Sequence, residues 1–349
     1  MAKIDLEVQE LYRKVLKEGR VYENKNRGVK RLQIPSYTFR HDLIKDGFPV
    51  LTNKRMYFKG IAGELTWFLR GDNDIKFLRE NNIPIWDKDA YNWYLKQNEG
   101  LNPEVLLDFE GFQKLGYGGV GQNYSVQWRN FNGNTDQIKR LIDEMREDIM
   151  SSRLKVNAWN PSELDKTALP PCHSEFQVVG VPLSFSERME FAEKTKTIIG
   201  YLGKKFDEKS KPEMIDMLDE HKVPRFGFEL HWNQRSVDLF LGIPFNITSY
   251  ALLAKILEDI TGYPALAIEG TLKCVHFYEN QFKATQEFLS RNPEQHQNCE
   301  LMIVGSSEKK NKDLSIDEYL NKTPVHCFQL IGYECDEPIK VEMLAPTKL

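Results

Sequence analysis

Apolar positions along the chain fall into stretches of helical period and stretches of strand-like period. Ile138, Leu141, Ile142 and Met145 recur at three- and four-residue steps, which predicts a helix with Thr135 as its cap. Leu252, Leu253, Ile256, Leu257 and Ile260 carry the same spacing through a segment from Asn246 to Thr261. Further helices are predicted over about 5–18, from Gly60 to Arg70 and from Asn73 to Glu80. Short β-like runs lie between them, LKVNAW, FELHW, ALAIEG, KCVHFY and ELMIV, with an extended basic stretch from Asn26 to Gln33. This mixture predicts a single α/β (α+β) domain over 1–349. One stretch, from about 182 to 224, is crowded with Lys, Glu and Asp while Phe191, Thr195, Ile198, Ile199 and Leu202 keep helical spacing. It reads as a charged helical insertion on the surface, its charges solvated.

Composition narrows the class without naming it. With 41% hydrophobic and 28% charged residues the chain has the make-up of a soluble globular protein. A net charge of −4 gives no global field for nucleic acid or an anionic membrane, so any anion site must be a local cluster of arginines. No apolar run approaches a membrane span, and the first twenty residues have no apolar signal core, so a cytoplasmic location is expected. The five cysteines are scattered, with no spacing of a zinc site or disulfide framework, and no metal is expected. Gly116, Gly118 and Gly121 satisfy G-x-G-x-x-G, but no apolar strand precedes them and no helix opens directly after. They are read as a tight loop.

Two segments carry candidate chemistry. In ALPPCHSEFQ, two prolines fix the backbone before Cys172 and so aim its thiol, and His173 adjoins it. A buried cysteine is ordinarily a small hydrophobe, and a reactive one needs a cationic setting. The run NQRSVDLFLGIPFNITSYA sets Arg235, Ser236, Asp238 and Asn246 around a Gly-Ile-Pro turn. Arg can hold a phosphate or a thiolate, Ser can donate to a phosphate, and Asn offers one donor and one acceptor to a pyrimidine edge. The plain alternative is that Asn246 only caps the helix after it.

Together these segments resemble the thymidylate synthase family and its relatives, the pyrimidine deoxynucleotide hydroxymethylases. The resemblance runs through DGFPVLTNKR, GELTWFLRGDNDIKFLRENNIPIWD, QWRNF, AWNPSELDKTALPPCH, QRSVDLFLGIPFNITSYA, VHFYEN and IGYECDEPIKVEM. It implies a mixed twisted sheet flanked by helices, with one sheet face forming a homodimer interface. It also implies transfer of a one-carbon unit from 5,10-methylenetetrahydrofolate to C5 of dUMP. Cys172 would be the nucleophile at C6, Glu64 the organiser of protons near O4, and Tyr124 the residue tied to loss of the C5 proton. His173, Gln177 and Gln234 would lie near the base, and Asn246 would read N3 and O4, favouring uracil over cytosine. His276 and Tyr278 would meet the sugar 3′-hydroxyl. Arg27, Arg235, Ser236 and Arg153 would hold the phosphate, Arg153 from the second subunit. Ile85, Trp86, Asp238, Leu241, Gly242 and Phe245 would form the folate surface, with Lys54 at its acidic tail. Neither a flavin, a membrane nor a nucleic acid enters this scheme.

The family pattern is broken in places. The usual N-terminal phosphate arginine falls at Asn26, leaving Arg27, Lys30 or Arg31 as substitutes. An expected arginine pair is Ser152-Arg153, a Tyr-Gly step is Tyr124-Ser125, and a Gly-Asp step is Lys273-Cys274. A second tryptophan is replaced near Asp89, and the tail runs on through LAPTKL. RGVKR and QNYS are closer to the hydroxymethylase branch, in which water captures the methylene intermediate and 5-hydroxymethyl-dUMP with tetrahydrofolate results. Such an enzyme suits a virus that modifies its DNA bases. A non-catalytic nucleotide-binding relative is a further alternative, opposed by the intact Cys172, Arg235 and Asn246.

Overall fold

A computed structural model describes residues 2–24, 29–194, 197, 211–305 and 313–342. Its centre is a sheet of strands β1 (Arg20–Asn24), β2 (Val29–Asp42), β3 (Lys155–Asn157), β4 (His173–Pro182), β5 (Phe226–Gln234), β6 (Val237–Asp238) and β7 (Ala265–Tyr278). The order is β1-β2-β7-β5-β4-β3, with short β6 also paired to β7. The β5–β7 and β6–β7 pairs are parallel and the others antiparallel, so the sheet is mixed. The runs ALAIEG and KCVHFY are one strand, β7, interrupted only where Cys274 takes φ +46° opposite Pro35. Strand β4, which starts at His173, carries no predicted run at all.

Side-chain alternation gives the sheet two unlike surfaces. Phe176, Val178, Leu230, Trp232, Ile268 and Leu272 are buried on one face. Glu175, Gln177, Glu229, His231, Glu269 and Arg40 project from the other. Helix α1 (Lys3–Glu18) buries Ile4, Val8, Leu11, Tyr12 and Val15 on one stripe. The Tyr12 hydroxyl donates to the Leu239 carbonyl at 2.6 Å, pinning α1 behind the strand that carries the site.

Helices α2 (Phe58–Arg70), α3 (Lys76–Glu80), α4 (Asp87–Gln97), α5 (Phe109–Lys114), α6 (Tyr124–Arg129) and α7 (Gln137–Glu147) precede β3. Of the segment predicted from Asn73, only Lys76–Glu80 is helical, and just before it the Asp74 carboxylate accepts from the Lys76 amide in a turn. The cap of α7 is Asp136, whose carboxylate accepts from the Lys139 amide, and not Thr135. Helices α8 (Phe185–Lys194) and α9 (Lys211–Glu220) form the charged insertion between β4 and β5. They close a small core of Met189, Ala192, Met214, Leu218 and Val223. Thr195, Ile198, Ile199 and Leu202 lie outside the described residues, as do Asn26, Arg27 and the LAPTKL tail.

Helix α10 (Ile243–Thr261) is apolar almost all round, as a helix packed on both sides must be. It opens at Ile243 with Pro244 in its first turn, so Asn246 lies inside the helix and is not its cap. After β7 come α11 (Phe282–Ser290), β8 (Glu300–Ile303), α12 (Ile316–Lys322) and β9 (Phe328–Ile331), with β8 and β9 as a separate antiparallel pair on either side of α12 in the chain. Gly116 and Gly121 take positive φ in a loop between α5 and α6, where no strand–helix phosphate cradle exists. Among the described residues no helix is long and apolar enough to cross a membrane.

Candidate active site

The thiol-bearing turn is held from three sides. The Arg235 amide donates to the Cys172 carbonyl at 2.9 Å. The Arg235 guanidinium donates to the carbonyls of Pro171 (2.7 Å) and Pro170 (2.9 Å) and lies 5.1 Å over the Trp159 ring. Tyr124, first residue of α6, accepts from the amides of Cys172 (2.6 Å) and His173 (3.4 Å). Arg235 therefore acts here as a brace of the Pro-Pro-Cys turn, with part of its donor set spent on backbone.

Beside this turn is a small hollow, bounded by Glu64 and Phe68 of α2, Trp128, His173, and the Asn246 side of α10. It has room for roughly one ordered water. Asn246, Ser249, Tyr250 and Leu253 stand at i, i+3, i+4 and i+7 and share one helix face, which is why all four line it. Of these, Asn246 is the one candidate site residue in the sequence, and Leu253 is one of its periodic helix positions. The helical spacing around it was the signal for the others. The Tyr250 hydroxyl is buried with no hydrogen-bond partner among the described residues.

Burial rather than counter-charge sets the protonation states around the hollow. Desolvation pushes Glu64 up to about 7, against the opposing Trp86 indole N–H at 2.6 Å, with the nearby Asp89 carboxyl adding to the rise. Desolvation lowers His173 to about 4 against a hydrogen bond with Asn246, so its ring is neutral at pH 7. His173 thus supplies no positive charge to the neighbouring thiol. Burial also raises Tyr124, and the Cys172 side chain adds to that. Asp89, raised to about 6 by desolvation, is a second carboxyl that the sequence reading noted only as a missing tryptophan.

The remaining expected residues divide into those brought to this region and those kept from it. Gln234 donates to the Asn246 Oδ1 at 3.0 Å, which fixes the direction of the Asn246 amide. Asp238 sits opposite His276 across β6 and β7 and accepts from the Phe240 and Leu241 amides and from Gln281. The His276 and Tyr278 rings meet edge to face at 4.8 Å. Trp86 is buried, and Ile85, Leu241 and Phe245 are half-buried apolar groups packed on the core, while Gly242 opens the turn into α10 and Ser236 is half-buried just before β6. Lys54 is buried, donates to the Phe240 carbonyl at 2.9 Å and lies 4.1 Å over the Phe240 ring. It presents no surface charge to an acidic tail. Gln177 is four residues along β4 from His173, roughly 13 Å, with its amide on the Ser152 carbonyl. Arg153 is exposed and farther still, roughly 20 Å along the strand from its own Cys172.

One cluster elsewhere has the look of a metal set, since Glu7, His41 and Asp46 bring ligand atoms within 4.8 Å of one another. Lys3 already supplies the cation there, 2.6 Å from Asp46, and both His41 nitrogens face oxygen acceptors, Glu7 and the Gly47 carbonyl.

Comparison with known proteins gives this geometry a lineage. A sequence model of the family described as thymidylate synthase matches residues 7–345. A thymidylate synthase of Malacoplasma penetrans is 35% identical over 318 residues, covering 89% of this chain and 93% of its own. One of Mesoplasma florum is 32% identical over 342 residues, covering 96% and 98%. One of Mycoplasma genitalium is 35% identical over 284 residues, covering 79% and 82%.

Proposed function

The chain belongs to the thymidylate synthase family, enzymes that transfer a one-carbon unit, and on that footing we propose that it methylates dUMP at C5 through a Cys172 adduct. The observation that carries this reading is the braced turn. Arg235 and Tyr124 fix the Cys172 backbone beside a hollow lined by an ionisable carboxyl, a neutral imidazole and an oriented carboxamide.

In the proposed reaction the Cys172 sulfur adds to C6, which makes C5 nucleophilic. Asn246, its Oδ1 held toward Gln234, accepts from N3–H and donates to O4 of the uracil. Glu64, ionising near neutral pH, exchanges a proton with the O4 side of the ring. Tyr124 lies against the nucleophile's amide, where it can pass on the proton leaving C5. Expulsion of the thiolate then restores the C5–C6 double bond. 5,10-Methylenetetrahydrofolate supplies the methylene group and the hydride when bound. Trp86, Leu241 and Phe245 with the Asp238 acceptor offer an apolar face and a polar anchor that suit its pterin.

We further propose that the polar outer face of the sheet meets a second copy, with Arg153 serving the partner's site. Its distance from its own Cys172 supports that assignment. The hydroxymethylase reading is favoured by one observation, the Asp89 carboxyl beside Glu64, which makes the region more hospitable to water than an indole would. Incubating the protein with dUMP and methylenetetrahydrofolate tests both. Thymidylate with dihydrofolate supports the synthase; 5-hydroxymethyl-dUMP with tetrahydrofolate replaces it. No loss of tritium from [5-³H]dUMP under any folate condition would remove both.

A further inference from the structure

Away from Cys172, helix α1, the end of β2 and the turn after it bring ionisable side chains to one spot. Lys3 and Glu7 stand one helical turn apart on α1, His41 lies on β2, and Asp46 sits in the turn that leads to Gly47. One ligand atom from each of Glu7, His41 and Asp46 lies within 4.8 Å of the others. His41 is fully buried, and the Glu7 and Asp46 side chains are only 17% and 16% exposed.

The contacts of His41 call for a positive charge. Its Nε2 is 3.1 Å from the Gly47 carbonyl, which can only accept, so Nε2 carries a proton. In the neutral ring Nδ1 then bears a lone pair, and that lone pair is aimed at a Glu7 carboxylate oxygen at 2.9 Å. Two acceptors so close repel unless a cation joins them. A ring held through its other nitrogen by a backbone carbonyl is also the usual posture of a metal-bound histidine. The Lys3 ammonium stands nearby, 2.6 Å from Asp46 and 3.6 Å from Glu7. It leaves one carboxylate charge unbalanced, which a divalent cation in its place would cancel. The Lys3 side chain is 50% exposed, so moving it into solvent costs little.

We propose that Glu7, His41 and Asp46 bind a divalent first-row transition metal, Zn²⁺ by preference, which displaces Lys3 and staples α1 to β2 and the turn after it. An imidazole with two carboxylates suits such an ion, whereas Mg²⁺ and Ca²⁺ prefer oxygen ligands alone. Zinc bonds of about 2 Å set tetrahedral ligands roughly 3.3 Å apart, so a carboxylate closes in by about an ångström as the ammonium leaves. The ion's role is structural: it fastens the helix whose Tyr12 is bonded to the Leu239 carbonyl.

The test strips the full chain with a chelator and titrates it with Co²⁺, a spectroscopic stand-in for Zn²⁺. Its absorbance separates nitrogen and oxygen ligation from thiolate ligation. One Co²⁺ per chain should bind without thiolate ligation, displaced by Zn²⁺ and not by an equal concentration of Mg²⁺. Asp46→Asn and Glu7→Gln should each weaken binding by at least about 10-fold. Lys3→Met should tighten it a few-fold by removing the competitor. Zn²⁺ should raise the melting temperature of wild type and not that of Asp46→Asn. His41→Gln should abolish binding; if it unfolds the protein, the two carboxylate variants carry the comparison. Thiolate ligation of the first equivalent, or equal affinity in wild type and Asp46→Asn, overturns the proposal. So does a Lys3→Met variant that binds no tighter than wild type. Failure of the wild type to bind any of these ions leaves a proton as the charge between His41 and Glu7, and ends the proposal.

Discussion

The hollow beside Cys172 and the α8–α9 insertion use the same kinds of side chain in opposite ways. In the insertion, Arg188 is buried, yet its guanidinium donates to the Val223 and Pro224 carbonyls and to Asp219, which also pairs with Arg225. Asp219 is accordingly held low, at about 2, chiefly by its hydrogen bonds from Arg225 and Arg188. In the hollow, Glu64 has one neutral donor and no cation beside it among the described residues, and it is pushed up to about 7. Paired charges stabilise a fold, whereas a carboxyl kept poised between its two forms costs stability and can move a proton. Structure and chemistry have been separated into different parts of one chain.

Substitutions in the two regions should therefore separate activity from stability. The largest effect is expected at the nucleophile. Cys172→Ser should lower turnover by roughly 10⁴-fold or more while the melting temperature stays within a degree or so of wild type, because Sγ to Oγ barely changes the packing. A variant that keeps a tenth of the wild-type rate would break the division at its centre. Glu64→Gln comes next, with a loss of about 10²- to 10³-fold in kcat. The wild-type rate profile should inflect near pH 7 and the variant profile should not. Arg188→Ala should do the reverse. It removes charged hydrogen bonds to buried carbonyls, at a cost on the order of 2 kcal/mol, read from chemical denaturation. Turnover per folded molecule should not change.

How much of this contrast is legible in the sequence depends on how local its cause is. The helices around Met145 and Leu257 follow from a period of 3.6 residues, and the structure shows both. The Cys172 and Asn246 segments stand out only through their resemblance to the family, because the prolines around them leave a plain buried thiol and a helix cap as equally local readings. Strand β4 escaped because Phe176 and Val178 alone carry its apolar face, while Glu175 and Gln177 face outward. The two runs read in β7 part at Thr271-Leu272, where the strand continues unbroken, and its one left-handed residue, Cys274, lies within the second run. Lys54 is placed by the resemblance at the acidic tail of the folate, and only the three-dimensional approach of Phe240 shows it buried. Arg31 and Lys30 are indistinguishable until a partner strand fixes which of them faces Tyr278. What needed a partner distant in sequence was not readable from spacing.

The smallest effect is also the one that tests the contrast most directly, because the two carboxyls should respond to pH with opposite sign. Glu64 has a folded value raised above its unfolded one, so it binds its proton more tightly in the native state. Its contribution is fully present below about pH 4.5 and is lost as pH rises through about 7. Asp219 has a folded value depressed below its unfolded one. Its contribution is present above about pH 4 and is lost as pH falls through about 2. Denaturant midpoints for wild type, Glu64→Gln and Asp219→Asn should be compared across pH 3 to 8. The Asp219→Asn deficit should hold steady from pH 8 to about 4 and shrink below that. The Glu64→Gln variant should gain on wild type as pH climbs from 5 to 8, since its amide has no charge to bury. Two curves that bend in the same direction would mean that desolvation and pairing are not divided between the two regions, and that Glu64 has a cationic partner in solution.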